Sequence, residues 1–319
     1  MTVHHLEPKI FYYTFGVHPP ALKIHSGDTV IAHTRDSQGY DERRQPMPEE
    51  MKQPHPGTTL KESNPCVGPI YVEKAAEGDV LAVHIRAIRL TRDFALSKQS
   101  THFGSLTGEG TGHLLLYNDP IPEIWYEWRI DLERSVAILD MPGSRLRRAE
   151  APLDPFIGSI GVAPRFGQVA TTLTPGEFGG NMDCVETRPG TTLYLPVWVA
   201  GAYLCFGDIH ARQGDGEVNG TALEITAEVT LDIEVRRGMA AQWPRLEDRT
   251  HIMTAGSTRP LLDCVRLAQI ELLSWLVDEY GFQREEAWQL MGQVGTMRIG
   301  NVVDPCYTAV AKFPKSCLP

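Results

Sequence analysis

The stretch TALEITAEVTLDIEVRR, residues 221–237, decides the fold class of this chain. Apolar residues alternate with polar ones along it, from Leu223 to Val235. A period of two is typical of a β-strand that buries one face and exposes the other. The length of the alternation therefore predicts a long strand whose apolar face packs on a core.

The same signal recurs through about the first 240 residues of the chain. Short runs rich in Val, Ile, Thr, Tyr and Leu are separated by turn residues, as in the segments 21–36, 68–90 and 191–208. Apolar runs bounded by Gly, Asp and Ser predict strands joined by turns. We therefore expect this part of the protein to be mostly β.

The pattern changes to a helical one after residue 255. Apolar residues recur at helical spacing between residues 259 and 282, and REEAWQLMGQV, residues 284–294, predicts a second helix. The tail from Met297 returns to strand character. The sequence thus predicts a β-dominated α+β protein, with a β-rich core over residues 1–255. Residues 256–319 are expected to add a helical pair and a C-terminal strand that pack on this core.

The composition restricts the classes of partner. The chain has 319 residues, a net charge of −10 and no run of basic residues longer than two. Binding to nucleic acid or to an anionic membrane requires a basic face, so neither is expected. The sequence has no apolar stretch of 18 residues, no secretory signal pattern and no CxxC pair among its six cysteines. We therefore expect a cytoplasmic protein with reduced thiols that acts on a small molecule.

A glycine-rich segment, GDIHARQGDGEVNG at residues 207–220, carries the first candidate site. Asp208 and His210 are two residues apart, so they face the same side of an extended strand. The following turn could return Glu217 beside them at the start of the next strand. Two carboxylates and an imidazole suit a metal such as Zn²⁺. They equally suit an acid–base pair around a bound water.

A second acidic loop lies upstream in PGEFGGNMDCVE, residues 175–186. Its glycines allow close approach of the backbone to a ligand, and Asn181, Asp183 and Cys184 follow them directly. A hairpin predicted over residues 191–208 separates the two acidic segments. Such a hairpin could bring both of them to one place.

Five pieces of the sequence resemble the acetamidase/formamidase family of metal-dependent amidases. They occur in the family's order: NPCVGPIYVEKAAEGDVLAV at 64–83, GSIGVAP at 158–164, GEFGGNMDC at 176–184, GDIHARQGDGE at 207–217 and VVDPCYTAVAKFPK at 302–315. The piece at 207–217 is the most specific, whereas residues 84–150 match the family poorly.

The resemblance implies hydrolysis of a short carboxamide, such as formamide or acetamide, to a carboxylic acid and ammonia. It also implies a jelly-roll-like β-sandwich with a smaller β-barrel-like region and C-terminal helices, assembled as a homodimer. The alternative is a non-catalytic β-sandwich protein that binds a small molecule in the same pocket.

The resemblance also implies roles for particular residues. Zn²⁺ is the expected metal, and an acid-rich half of the ligand set could hold a second divalent ion such as Ca²⁺. The expected metal ligands are Asp36, Asp183, Asp208, His210 and Glu217. The expected catalytic residues are Glu217, His210 and Asp183. The expected substrate contacts are Asn181 and Gln213, although Asn181 could instead orient Asp183 and Gln213 could instead be structural.

Cysteine and further histidine residues provide the remaining alternatives. Cys184 and Cys205 are candidate nucleophiles for a thioester route, which requires a lowered thiol pKa. Cys205 sits in the middle of a predicted strand, and a carboxylate beside Cys184 opposes its activation. His102 and His113 flank a glycine-rich stretch and could approach the site, although solvated loop histidines are more common.

Overall fold

The computed structural model describes residues 1–54, 62–101, 103–106 and 122–319 of the protein. His102 and His113 lie outside the described residues. Strands dominate the described chain, and two α-helices follow them near the C-terminus. The predicted β-dominated α+β class is therefore confirmed.

The first sheet has nine strands and contains the longer part of the alternating segment with which the sequence analysis began, whereas the start of that segment lies in the second sheet. In spatial order its strands are β1 (Val3–Leu6), β4 (Asp28–His33), β17 (Ala227–Arg236), β6 (Val80–Leu90), β14 (Thr192–Pro196), β18 (Arg245–Glu247), β19 (His251–Thr258), β21 (Tyr307–Pro314) and β20 (Thr296–Ile299). β19 runs across the domain boundary predicted after residue 255, and its hydrogen-bonded partner is β21.

The second sheet has ten strands and carries most of the candidate site. Its main path runs through β10 (Arg147–Pro152), β9 (Val136–Met141), β8 (Ile124–Asp131), β7 (Phe94–Gln99), β16 (Glu224–Ile225), β15 (Leu204–His210), β11 (Phe156–Gly161) and β13 (Gly179–Asn181). A branch adds β5 (Cys66–Val72) beside β15 and β3 (Leu22–Ile24) beside β5. A separate pair is formed by β2 (Thr14–Phe15) and β12 (Ala170–Thr171).

The two large sheets pack face to face across one hydrophobic core. Leu231 and Val83 from the first sheet belong to the same buried cluster as Phe206 and Ile209 from the second. Both sheets are open, and neither closes into a barrel within the described residues. The predicted sandwich arrangement is thus present, but the barrel-like shape expected for a smaller region is not seen.

The helical pair covers the outer end of the first sheet. α1 (Leu261–Asp278) buries Ala268, Leu272 and Trp275 in a second apolar cluster that also contains Ile252 and Phe313 of the sheet. α2 (Arg284–Val294) packs beside α1 and leads into β20. In the part of the chain that the structure describes, neither helix is long and apolar enough to cross a membrane.

Candidate active site

The candidate site lies where strand β15 changes its neighbour. On one side β15 pairs with β11. On the other side it pairs with β5 as far as Gly207 and with β16 from Ile209. Asp208 falls between these two pairings and has a left-handed backbone, with φ of 56°. The change of partner therefore opens the sheet edge beside Asp208.

Gly158 on β11 makes room for the side chains of β15. A Cβ atom at this position would lie 2.7 Å from Oδ2 of Asp208 and 2.9 Å from Cε1 of His210. Both distances are shorter than a normal van der Waals contact, so any larger residue at 158 would displace the two polar side chains. This close approach is a physical reason for the first glycine of the GSIGVAP segment.

Five carboxylates converge at this edge, and each belongs to a side chain that is at most 7% exposed. They are Asp183 after β13, Asp208 on β15, Glu217 in the following loop, Glu224 at the start of β16 and Asp304 in the loop before β21. No Lys or Arg of the described residues forms an ion pair with any of the five. Burial of so many carboxylates without cationic partners is costly, which is typical of a binding or catalytic site.

The backbone also bears strain at this place. Asp183 and Glu217, like Asp208, have left-handed conformations, with φ of 47° for each. Such conformations cost about 1–3 kcal/mol each in residues other than glycine, and they concentrate at functional sites. Glu217 reaches the site from a loop, just after Gly216 bridges to Asn301. It does not begin the next strand, as the sequence analysis had proposed; that strand begins at Glu224.

His210 stands among these carboxylates. Its Nε2 atom lies 3.4 Å from Oδ2 of Asp208, 3.4 Å from Oε1 of Glu224 and 4.0 Å from Oε1 of Glu217. The edge of its ring packs against Phe156, with 5.0 Å between the ring centroids. The structure therefore brings together Asp208, His210 and Glu217, as the sequence analysis expected.

Gln213 determines which nitrogen of His210 carries the proton. The amide nitrogen of Gln213 donates to the carbonyl oxygens of Asp183 (3.1 Å) and Gly300 (2.9 Å). Its Oε1 atom lies 3.0 Å from Nδ1 of His210 and can only accept. Nδ1 is thus the protonated nitrogen, and the lone pair of Nε2 in the neutral ring points toward the carboxylates. Gln213 therefore orients His210, and the substrate contact predicted for it is not supported.

Asn181 is likewise engaged within the protein. Its amide nitrogen donates to Oδ2 of Asp183 (3.0 Å) and to Oδ2 of Asp304 (2.7 Å). Its oxygen accepts from the Ser159 hydroxyl and from Nδ2 of Asn64 (3.2 Å). Both ends of the amide are in use, so Asn181 orients two carboxylates, which is the alternative that the sequence analysis left open. Asn181 also lines the cavity described below, so the substrate contact stays a prediction.

The electrostatics of the cluster favour bound positive charge. Burial alone would lower the pKa of His210, but Glu224, Asp208 and Glu217 outweigh it and raise the pKa to about 10. Burial raises the pKa of Glu224 to about 8 and that of Asp304 to about 7, and the charge of Asp208 adds to both effects. Burial, together with Glu217 and other nearby carboxylates, raises the pKa of Asp183 well above its usual range. These three carboxylates therefore favour a proton or another cation nearby.

Several polar atoms in the cluster are buried without a partner. Among the described residues, no hydrogen bond reaches Nε2 of His210, Oδ1 of Asp183, Oδ1 of Asp208 or Oε2 of Glu224. Two groups each have ligand atoms within 4.8 Å of one another: Asp183, His210 and Glu217, and Asp208, His210 and Glu224. Unsatisfied buried acceptors are rare, and these converge closely enough to hold a metal ion.

Asp36 lies apart from these groups. One oxygen of its buried carboxylate accepts from Nη1 of Arg92 at 2.9 Å, and the other accepts from the backbone of Gln38 and Tyr40. Nη2 of Arg92 donates to the carbonyl oxygen of Glu224 at 2.9 Å. Asp36 therefore supports the strand that carries Glu224, and the prediction that it ligates the metal is not supported.

The cysteines are not arranged for nucleophilic attack. Cys184 is buried and its thiol donates to Oε2 of Glu186 at 3.3 Å. Burial and this carboxylate raise the pKa of Cys184 well above its usual range. Burial alone raises the pKa of Cys205. A raised pKa leaves little thiolate at neutral pH, so the physical argument against a thioester route holds in the structure.

A cavity of about 150 Å³ opens in front of the cluster. Asp208, Glu217, Glu224 and Asp304 line it, whereas Asp183 and His210 lie behind its wall. Asn64 also lines the cavity and donates to Oδ2 of Asp208 at 2.8 Å. The space is large enough for a small molecule beside the carboxylates.

Three residues of the site were missed by the sequence analysis. Glu224 occupies a polar position of an alternating strand, which is typical of a solvated face. Asp304 and Asn64 lie in the VVDPCYTAVAKFPK and NPCVGPIYVEKAAEGDVLAV pieces, but neither was singled out. The position of Asp304 and Asn64 within these motif pieces was the signal that could have identified them as site residues.

Comparison with known proteins is consistent with this geometry. The model of the Acetamidase/Formamidase family matches residues 166–318. The crystal structure of an acetamidase from Yersinia enterocolitica has a TM-score of 0.86 and 37% identity, over 99% of this chain and 93% of that one. An acetamidase structure from Bacillus halodurans has a TM-score of 0.81 and 30% identity, over 98% and 97% of the two chains.

A curated relative matches over a shorter length. The acetamidase of Mycolicibacterium smegmatis is 29% identical over 147 residues, which are 44% of this chain and 36% of that protein. The match therefore spans about a third of that relative, whereas the solved structures are covered almost completely. The chain belongs to the acetamidase/formamidase family, and this membership classes it as an amidase, a hydrolase.

Proposed function

We propose that the protein hydrolyses a short carboxamide, such as formamide or acetamide, to a carboxylate and ammonia with the help of a bound divalent metal. The observation that carries the proposal is the convergence of five buried carboxylates and the Nε2 atom of His210 beside a small cavity. Family membership supports the reaction class.

The residues present fit a metal ion by their unsatisfied atoms. The lone pair of Nε2 faces carboxylate oxygens at 3.4 Å, which is repulsive unless a proton or a cation lies between them. If His210 alone carried a proton, the cluster would contain five carboxylates and one positive charge, so its net charge would stay negative. A divalent ion offsets this charge better and also provides a partner for the orphan oxygens.

The donor set indicates which ions would bind. Mixed nitrogen and oxygen ligands from Asp183, His210 and Glu217 suit Zn²⁺. One Nε2 atom can serve one ion, so a second ion near Asp208 and Glu224 would have oxygen ligands only. Oxygen ligands suit a hard cation such as Ca²⁺. When bound, such ions polarise a carbonyl group and lower the pKa of water.

Glu217 is the best-placed residue to carry the proton. It lines the cavity, whereas Asp183 lies behind the wall. Burial raises the pKa of Glu217 well above its usual range, which makes its carboxylate a stronger base toward water. In the proposed reaction, Glu217 accepts a proton from water as the water oxygen bonds to the amide carbon. It then donates this proton to the nitrogen as the C–N bond breaks.

The proposal is tested by ammonia release from a panel of amides, together with elemental analysis of the purified protein. We expect bound metal, turnover of a short amide, loss of turnover on chelation and recovery when Zn²⁺ or Ca²⁺ is restored. Full turnover by protein shown to be metal-free would overturn the metal requirement. Absence of turnover with metal bound would instead favour the non-catalytic binding protein.

A pair of variants from one loop tests the role of Glu217. Glu217→Gln keeps the size of the side chain and one oxygen for a metal ion but cannot carry the proton, so we expect turnover to fall about 10²–10⁴-fold with the metal still bound. Asp215→Asn is the matched control, because Asp215 is half-exposed and pairs with Arg298 outside the cavity. Near-normal turnover in Glu217→Gln would assign the proton transfer to another group.

A further inference from the structure

Most of the side chains that line the active-site cavity belong to polar residues. Its lining residues in the described part of the chain include two large apolar side chains, Phe103 and Leu173. The others are acidic, amide, hydroxyl, lysine or glycine residues. A carboxamide has a polar reacting end and, beyond formamide, an apolar acyl chain. The two ends therefore require different walls, and the cavity contains both kinds.

Phe103 is held by the same turn that carries Glu217. A Cβ atom at Gly220 would lie 2.5 Å from Cδ1 of Phe103, so the ring rests directly on a residue that must lack a side chain. The backbone nitrogen of Gly220 donates to the carbonyl oxygen of Glu217 at 2.8 Å. Nearby, the nitrogen of Ser105 donates to the carbonyl oxygen of Val218 at 2.9 Å. The ring is thus positioned relative to the proposed proton carrier.

Leu173 is positioned by hydrogen bonds of its neighbour in the chain. Its neighbour Thr172 is buried, and the Thr172 hydroxyl donates to the carbonyl oxygens of Tyr13 (3.1 Å) and Ser63 (2.9 Å). The Ser159 hydroxyl in turn donates to the carbonyl oxygen of Thr172 at 3.1 Å. Leu173 itself is half-buried at the cavity wall. Hydrogen bonds and packing therefore fix the segments of both apolar side chains relative to the acidic cluster.

We propose that Phe103 and Leu173 form the acyl-binding wall of the site and set the length of the acyl chain that the enzyme accepts. The proposal rests on amide hydrolysis as the function of the site. It also assigns a role to part of the segment 84–150, which departs from the family pattern. A cavity of about 150 Å³ suits a short acyl chain.

The test compares kcat/KM for unbranched primary amides from formamide to hexanamide. Formamide has no acyl chain, so its turnover reports the chemistry, and the ratio of hexanamide to acetamide reports the effect of the two apolar side chains. Phe103→Ala or Leu173→Ala removes a large side chain and leaves space for a longer acyl chain. Each substitution is expected to raise the ratio of kcat/KM for hexanamide to that for acetamide at least tenfold. Each methylene group of the substrate that becomes buried in this space raises kcat/KM about fourfold. Leu173→Phe is expected to shift the preference toward formamide.

Leu106→Ala is the matched control, since Leu106 lies on the same segment, is exposed and does not line the cavity. The chain-length ratios could stay the same in Phe103→Ala, Leu173→Ala and Leu173→Phe while formamide is still turned over. That result would overturn the acyl-wall proposal and leave the proposed function in place. If the wild-type protein turns over no amide, the proposed function fails. The wall is then judged from the dissociation constants of the same amides, measured by calorimetry, and an unchanged chain-length dependence in the variants would overturn it too.

Discussion

Oε1 of Gln213 accepts a hydrogen bond from Nδ1 of His210 at 3.0 Å, and this contact leaves the lone pair of Nε2 facing Asp208 and Glu224. The orientation of the amide is not free, because its nitrogen donates to two carbonyl oxygens. One buried glutamine thus fixes both the tautomer and the direction of the imidazole. Partners of this kind commonly tune the affinity of a histidine for metal.

Gln213→Glu is expected to weaken metal binding about 10–100-fold. The substituted carboxylate has no protons to donate to Asp183 and Gly300, so the side chain cannot keep its position. Metal affinity is measured by competition with a chelator, and thermal melting of the metal-free protein is measured separately. Gln45→Glu, at an exposed position, is the control. Unchanged metal affinity in folded Gln213→Glu would show that Gln213 does not position His210.

His210→Ala is expected to reduce turnover by several powers of ten while the protein stays folded. The substitution removes the one imidazole that the described residues contribute to the cluster, and metal or acid–base contributions are each worth about 10²-fold or more. His251→Ala is the control, because His251 begins β19 and its ring contacts the Thr250 hydroxyl away from the site. Turnover and metal content near wild-type values in His210→Ala would limit this residue to a structural role.

Cys184→Ala is expected to keep turnover within about threefold of the wild type. Burial and Glu186 raise the pKa of this thiol, so the reactive thiolate is scarce at neutral pH. The measurement is ammonia release, with circular dichroism to confirm folding. Complete loss of turnover in a folded, metal-containing Cys184→Ala protein would support a thioester route instead.

Asp36→Asn is expected to lower the free energy of unfolding by about 3–5 kcal/mol, because Arg92 would remain buried without its charge partner. The bound metal should stay, since Asp36 belongs to neither of the two ligand groups. Urea unfolding and elemental analysis distinguish the two effects. Loss of metal with little change in stability would restore Asp36 to the ligand set. Replacing both residues of the pair with Met should recover part of the stability.

The local periodicity of the chain was sufficient to predict its class. The alternation over residues 221–237 predicted one long strand, but the structure divides it at Thr226 into β16 of the second sheet and β17 of the first. Leu231 and Ile233 of β17 are buried in the core, as the alternation predicted. The helical spacing after residue 259 corresponds to α1. Even so, α1 also buries Glu271, which pairs with Arg245 at 2.6 Å, and spacing alone could not show that. A polar residue is buried when a distant partner offsets its charge, and the partner is not visible in local sequence.

By itself, the sequence placed Asp208 and His210 on one side of a strand and predicted that Glu217 and Asp183 could lie near them, because one predicted hairpin separates the two acidic segments. Only the tertiary structure decided which other residues join them. Glu224 enters the site because β16 pairs with β15 next to Asp208, and Asp304 enters from a loop far along the chain. Asp36 lies outside the two ligand groups, and its carboxylate accepts a hydrogen bond from Arg92. Hydrogen bonds and charges act over distances in space, so burial and pairing of polar side chains follow from the packed fold and not from their order in the chain.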